Sequence, residues 1–88
     1  MKILVTGAAG FIGFNLSNFL VKNDYKVFGI DNFDKYYSVL LKKKRLEILN
    51  KNKNFNFSKI DINNKRMLKK FFKGKKIDTI INLAAQAG

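Results

Sequence analysis

A glycine-punctuated turn, Gly7-Ala8-Ala9-Gly10-Phe11-Ile12-Gly13, follows directly on the apolar run Lys2 to Thr6 and constrains the chain more than any other feature. A short run rich in β-branched residues and ended by glycine reads as a strand buried on both faces. Residues 11–22 then carry Phe11, Ile12, Phe14, Leu16, Phe19, Leu20 and Val21 close to an i, i+3, i+4 spacing, with Asn15, Ser17, Asn18 and Lys22 opposite. The turn is therefore expected between a strand and a helix. In that setting Gly7 supplies a free φ, and Gly10 lets the backbone approach a pyrophosphate without an intervening Cβ. Gly13 lets the helix sit close on the strand, and the N–H groups of Phe11 and Ile12 face phosphate charge with the positive end of the helix dipole behind them.

The same alternation continues along the chain. Lys26 to Ile30 reads as a second strand with Asp31 at its carboxyl end, and a loop over 32–35 leads to a helical pattern from Tyr36 to Asn50. In that helix Leu40, Leu41, Leu46, Ile48 and Leu49 are expected to be apolar-facing and Lys42 to Lys44 exposed. A turn over 50–54 precedes a half-buried third strand marked by Phe55, Phe57 and Ile60. After a loop over 61–64, residues 65–73 give a helix with Met67, Leu68, Phe71 and Phe72 as its apolar face and Gly74 as its stop signal. Ile77 to Leu83 is the fourth strand, followed by Ala84-Ala85-Gln86-Ala87-Gly88. Strands alternating with helices demand right-handed crossovers and a parallel sheet. The expectation is an α/β, doubly wound sheet of Rossmann type with strand order 3-2-1-4, residues 1–88 forming the N-terminal portion of a nucleotide-binding domain. A chain that stops after its fourth strand leaves an apolar sheet edge, so a larger protein, with further segments beyond this one, is also expected.

Composition removes several chemistries. With 88 residues there is one domain at most, and with neither Cys nor His there is no disulfide, no thiolate metal site and no Ser-His or Cys-His nucleophile within the chain. No metal site is expected. The apolar runs fall short of the roughly 20 residues that span a bilayer, and no cleavable leader pattern is present, so a cytoplasmic protein without a membrane partner is expected. Eighteen Lys and Arg against six Asp and Glu give a net charge of +12, which would suit a polyanion. The same profile, with Lys, Asn, Ile and Phe abundant and only Arg45 and Arg66 as arginines, is also what an AT-rich coding sequence produces. Because base readout leans on Arg, nucleic acid is not the expected partner.

The strand ends carry the remaining candidates. Asp31 lies eighteen residues beyond Gly13, where a dinucleotide-binding unit places an acid to accept from the adenosine ribose hydroxyls. A 2′-phosphate would meet a like charge there, so NAD is expected over NADP, a preference that nearby Lys35 could soften. Asp61-Ile62 ends the third strand, where the Asp can accept from the adenine amino group and Ile62 can pack on the ring; a plain Asx-turn is the competing reading. Leu83, Ala84 and Ala85 end the fourth strand and leave room for the nicotinamide ribose, or else are simply small-residue packing.

The segments MKILVTGAAGFIG, GIDNFDKYY, the Asp61-Ile62 pair and NLAAQAG resemble the N-terminus of an extended short-chain dehydrogenase/reductase of the NAD-dependent epimerase/dehydratase type. Asp31-Asn32-Phe33, Tyr36-Tyr37, Leu41-Lys42 to Arg45-Leu46 and 83–88 are most similar to the UDP-glucuronate 4-epimerases. The resemblance implies NAD as cofactor, Asn32 beside Asp31 at the ribose, a UDP-sugar substrate, C4 oxidation and re-reduction, and a homodimeric full-length enzyme. It also implies a catalytic Tyr four residues before a Lys, which this chain lacks: Gly29, Leu40 and Leu41 stand four beyond Tyr25, Tyr36 and Tyr37. Those tyrosines are read as core or loop residues, the chain alone is expected to bind but not to catalyse, and UDP-sugar to bind only with the missing part. A dTDP-glucose-type dehydratase fragment and a stand-alone nucleotide- or polyanion-binding module are the alternatives.

Overall fold

The computed structural model describes residues 1–33 and 39–84. In chain order the elements are β1 (Lys2–Thr6), α1 (Phe11–Lys22), β2 (Lys26–Asp31), α2 (Val39–Asn50), β3 (Phe55–Lys59), α3 (Lys65–Phe72) and β4 (Thr79–Asn82). All pairings are parallel and the sheet order is β3-β2-β1-β4, as the alternation of strands and helices requires. The register sets Thr6 beside Ile30 and Asn82, so the carboxyl ends of the two central strands and β4 finish level with one another.

The pleat divides the core into two layers. Ile3, Val5 and Val27 point to the face covered by Leu20 and Val21 of α1 and Leu46 and Leu49 of α2. Leu4, Phe28 and Ile30 point to the other, where Phe71 of α3 and Ile60 close the layer and the Phe28 and Phe71 rings meet edge-on at 6.2 Å. Both faces of β1 and β2 are thus apolar, the signature of a parallel sheet. At β4 the cover is thinner, and Ile80 is 55% exposed.

The helices sit differently from their sequence patterns in two places. Ser17, expected on the outer face of α1, is fully buried with Gly13, Leu20 and Val21. These four form one stripe at helical spacing, and at Gly13 the helix lies too close on the Gly7 turn for a Cβ. Lys42, expected in solvent, is buried on α2 with Leu46 and Leu49, whereas Leu40, Leu41 and Ile48 are exposed. A 3.6-residue period admits only one such stripe, and the stripe through Lys42 is the one chosen. Met67 of α3 is likewise 43% exposed. Tyr36, placed at the start of the second helix, lies with Tyr37 and Lys35 outside the described residues. Tyr25 is partly buried and packs against the α1/α2 layer.

Ser17 Oγ is the buried side-chain polar atom that finds no hydrogen-bond partner among the described residues. A buried hydroxyl without a partner is a net cost, and alanine is the better helix former. Ser17→Ala should therefore stabilise the chain by about 1 kcal/mol in urea denaturation, the opposite sign to most core substitutions.

Candidate functional site

At the carboxyl edge of the sheet the strand ends open into a cavity of about 450 Å³. Its floor is the glycine turn and the first turn of α1, contributing Gly7, Gly10, Phe11, Ile12 and Gly13. Asp31 and Asn32 line it from β2, Asp61 and Ile62 from the end of β3, and Leu83 and Ala84 from the end of β4. Ala85, the last sequence candidate, lies outside the described residues. Four strand ends therefore converge on one crevice, the location at which open α/β sheets bind ligands.

Local geometry explains why the turn is glycine-rich. Gly7 has φ +70°, and a Cβ there would stand 2.9 Å from the Ala84 amide nitrogen, because the exit of β4 lies directly over it. The Thr6 side chain fixes that exit: its Oγ1 accepts from the Leu83 and Ala84 N–H groups at 2.9 and 3.1 Å, and its hydroxyl donates to Asn82 Oδ1. A Cβ on Gly13 would fall 2.0 Å from the Gly7 carbonyl oxygen, so α1 could not approach the turn at all with any other residue. Gly10 differs. A Cβ there would meet the Gly7 carbonyl oxygen at 3.3 Å and nothing else within 4 Å, so the space it leaves is toward the cavity. Gly10 is also the N-cap of α1, with no side-chain cap and no acidic residue in the first turn. The first N–H groups of a helix have no intrahelical partner, and here the residues that carry them line the cavity beside an uncompensated dipole end.

Asp31 is buried and heavily engaged. Its Oδ2 accepts from the Ala9 N–H at 3.1 Å, while Oδ1 accepts from the Phe33 N–H at 2.8 Å and from Lys42 Nζ at 3.0 Å. The last contact is an ion pair whose two side chains are both more than nine-tenths buried. A carboxylate offers about four lone-pair sites, and the donors among the described residues occupy three of them, leaving a position on Oδ2. The carboxylate charge is thus balanced by a cation in contact with it, rather than standing alone against a ligand.

Asp61 adopts the Asx-turn, its Oδ1 accepting from the Asn63 N–H at 2.8 Å, and still lines the cavity. The two readings of this residue are compatible. Asn64 then caps α3 by accepting from the Met67 N–H at 3.1 Å, which sets the loop that carries Ile62.

Lys42 and Arg45 line the same cavity from α2 and were not among the sequence candidates. The signal that could have found them is their spacing: Lys42, Arg45, Leu46 and Leu49 fall on one stripe, two cations continuing an apolar face toward the strand ends.

The family model described as GDP-mannose 4,6 dehydratase matches residues 4–88. The chain belongs to that family. It is 48% identical over 85 residues to the UDP-glucuronate 4-epimerase of Thermodesulfobacterium geofontis, covering 97% of this chain and 26% of the relative. A crystal structure of UDP-glucuronic acid 4-epimerase from Bacillus cereus, in complex with UDP-glucuronic acid and NAD, superposes with a TM-score of 0.86 at 45% identity, over 100% of this chain and 27% of that one. A dTDP-glucose 4,6-dehydratase from Bacillus anthracis in complex with NAD gives a TM-score of 0.83 at 29% identity, over 99% and 27% of the two chains. The chain spans about a quarter of the length of the relatives it matches. Within this NAD-dependent epimerase/dehydratase family the higher identity lies on the epimerase side.

Because Gly13 has no room for a Cβ, Gly13→Ala should destabilise the fold by about 2 to 3 kcal/mol, the range of a strained overpacking substitution, read as a lower urea midpoint.

Proposed function

We propose that this chain is the N-terminal, NAD-binding portion of a UDP-glucuronate 4-epimerase, with residues 1–88 forming the first part of its Rossmann-type domain. The observation that carries the reading is the convergence of the uncapped α1 N-terminus, the Gly10 gap and Asp31 on one cavity. The identity to UDP-glucuronate 4-epimerases over nearly the whole chain supports the substrate class.

In this reading the pyrophosphate lies on Gly10, Phe11, Ile12 and Gly13, where backbone N–H groups and the helix dipole offset its charge. The adenosine ribose lies at Asp31 and Asn32, a hydroxyl donating to the open position on Asp31 Oδ2. NAD is preferred because a 2′-phosphate has no proton to donate there; since Lys42 already balances the Asp31 charge, repulsion is the lesser part of the discrimination. Asp61 and Ile62 take the adenine edge and face, and Leu83 and Ala84, with Ala85, leave space for the nicotinamide ribose. Bound NAD supplies a reversible hydride acceptor for the sugar carbon being inverted. This chain's own residues bind and orient it. The proton-transfer pair, a Tyr four residues before a Lys, is not in these 88 residues, so proton transfer at the sugar is assigned to other residues of such an enzyme.

A second reading, the equivalent portion of a nucleotide-sugar 4,6-dehydratase, is favoured by the description of the matching family model and by the superposition on the dTDP-glucose 4,6-dehydratase. It uses the same cofactor site and differs only in the substrate chemistry.

Titration of the 88-residue chain with NAD by calorimetry tests the site. Gly10→Ala should leave the fold within about 1 kcal/mol of the parent, since φ is −72° and the nearest atom to the new Cβ is at 3.3 Å. The same change should weaken NAD at least about tenfold by obstructing the pyrophosphate. Equal affinities for the two chains would remove the phosphate from this turn. The chain alone should not interconvert UDP-glucuronate and its C4 epimer, and turnover by the purified chain would defeat the assignment of proton transfer to residues outside it.

A further inference from the structure

The turn Gly7 to Gly10 has little with which to hold itself. Its side chains are hydrogen atoms and two methyl groups, and a glycine-rich segment left free would have to be ordered by its ligand, which costs affinity. Among its backbone groups, Ala8 N–H donates to the Ile30 carbonyl and Gly10 N–H to the Gly7 carbonyl, both at 3.1 Å. Ala9, at the apex, bonds neither of its backbone groups to another backbone group outside the helices and strands. Both are taken by side chains.

These two side-chain contacts lead to α2. Arg45 Nη1 donates to the Ala9 carbonyl oxygen at 3.1 Å, with its guanidinium 5.9 Å from the centre of the Phe11 ring. The Ala9 N–H donates to Asp31 Oδ2, and Asp31 Oδ1 is gripped by Lys42 Nζ. The residues stand at positions 42 and 45, one helical turn apart, so a single face of α2 reaches both sides of Ala9. Lys42 is the buried cation among the described residues, and burying a Lys head is unfavourable unless it is paired. Its position is explained by what it holds.

We propose that Lys42 and Arg45 are positioning residues: from α2 they clamp the apex of the glycine turn at Ala9, Arg45 directly and Lys42 through Asp31, and so preorganise the turn for a dinucleotide pyrophosphate. The clamp rests on the reading of the cavity as an NAD site for its purpose, and on the hydrogen bonds above for its existence. It makes α2 part of the cofactor site although the helix supplies no phosphate-binding amide. Arg45 is the partner that Lys can replace in part, since the Ala9 carbonyl needs one donor; an uncharged side chain supplies none.

The test uses the 88-residue chain and three variants, Lys42→Met, Arg45→Met and Arg45→Lys, with two separate readouts. The first is made without ligand. In Lys42→Met the Ala9 amide should speed up at least about tenfold more than the Val27 amide in β2, which reports the global loss of stability from breaking the buried pair. In Arg45→Met the Gly10 amide nitrogen, which shares a peptide with the Ala9 carbonyl, should shift, and Arg45→Lys should restore most of it. The second readout is NAD affinity. Both methionine variants should weaken it about fivefold or more, and Arg45→Lys should recover to within about twofold of the parent. Unchanged Ala9 and Gly10 signals, or methionine variants that bind NAD as the parent does, would overturn the clamp. If Lys42→Met does not fold, the half-exposed Arg45 pair of variants decides alone. A parent chain that binds no NAD while the Ala9 and Gly10 signals respond as expected would uphold the clamp and overturn the cofactor reading.

Discussion

The buried carboxylate of Asp31 is the group around which the rest of this structure is arranged. It ends β2, its oxygens reach the glycine turn through Ala9 and the following loop through Phe33, and Lys42 of α2 balances its charge. A buried carboxylate is costly without a partner, and α2 presents the Lys42 cation to it at the sheet edge. That pairing sets the rotation of α2. The stripe through Lys42, Leu46 and Leu49 faces inward, and three large apolar residues, Leu40, Leu41 and Ile48, are left exposed. Removal of one partner from such a pair leaves an uncompensated charge, which is why the ion pair ties helix orientation to site geometry so firmly.

The second constraint is steric. Gly13 against the Gly7 carbonyl brings the α1 N-terminus onto the turn, and Thr6 brings the exit of β4 over Gly7. Together they make two strand ends, one helix end and one turn meet within a few residues of each other. The cavity is the space that remains when those elements cannot come closer, and its apolar walls and few polar groups follow from the residues that happen to end each strand. Its one deliberately open place is over Gly10, where a side chain would have met almost nothing of the protein itself.

Much of this was legible beforehand. The parallel order β3-β2-β1-β4 follows from strand–helix alternation with right-handed crossovers, and the boundaries of β1 and α1 are visible in Lys2 to Thr6 and the turn that follows. The candidate residues of the turn and of the β2, β3 and β4 ends within the described residues all line one cavity. What the pattern did not give was the pairing across elements. Lys42 sits in a Lys-rich run that reads as solvated surface, and only its helical spacing from Leu46 and Leu49 separates it from Lys43 and Lys44. Ser17 read as polar and therefore outer, whereas it lies on the buried stripe with Gly13, Leu20 and Val21.

The sequence by itself determined the fold class, the direction of every strand and the place of the glycine turn, because hydrophobic period, β-branching and glycine position act over a few residues and need no partner to be read. It also determined the acid at the end of β2. The tertiary structure alone decided what that acid touches: that Lys42 is buried against it, that Arg45 holds the Ala9 carbonyl, and that the Asp31 carboxylate reaches the Ala9 and Phe33 amides at once. Those outcomes depend on which face of α2 meets the sheet. That choice is set by the cost of an unpaired buried charge across eleven residues of chain, an interaction that no local pattern contains.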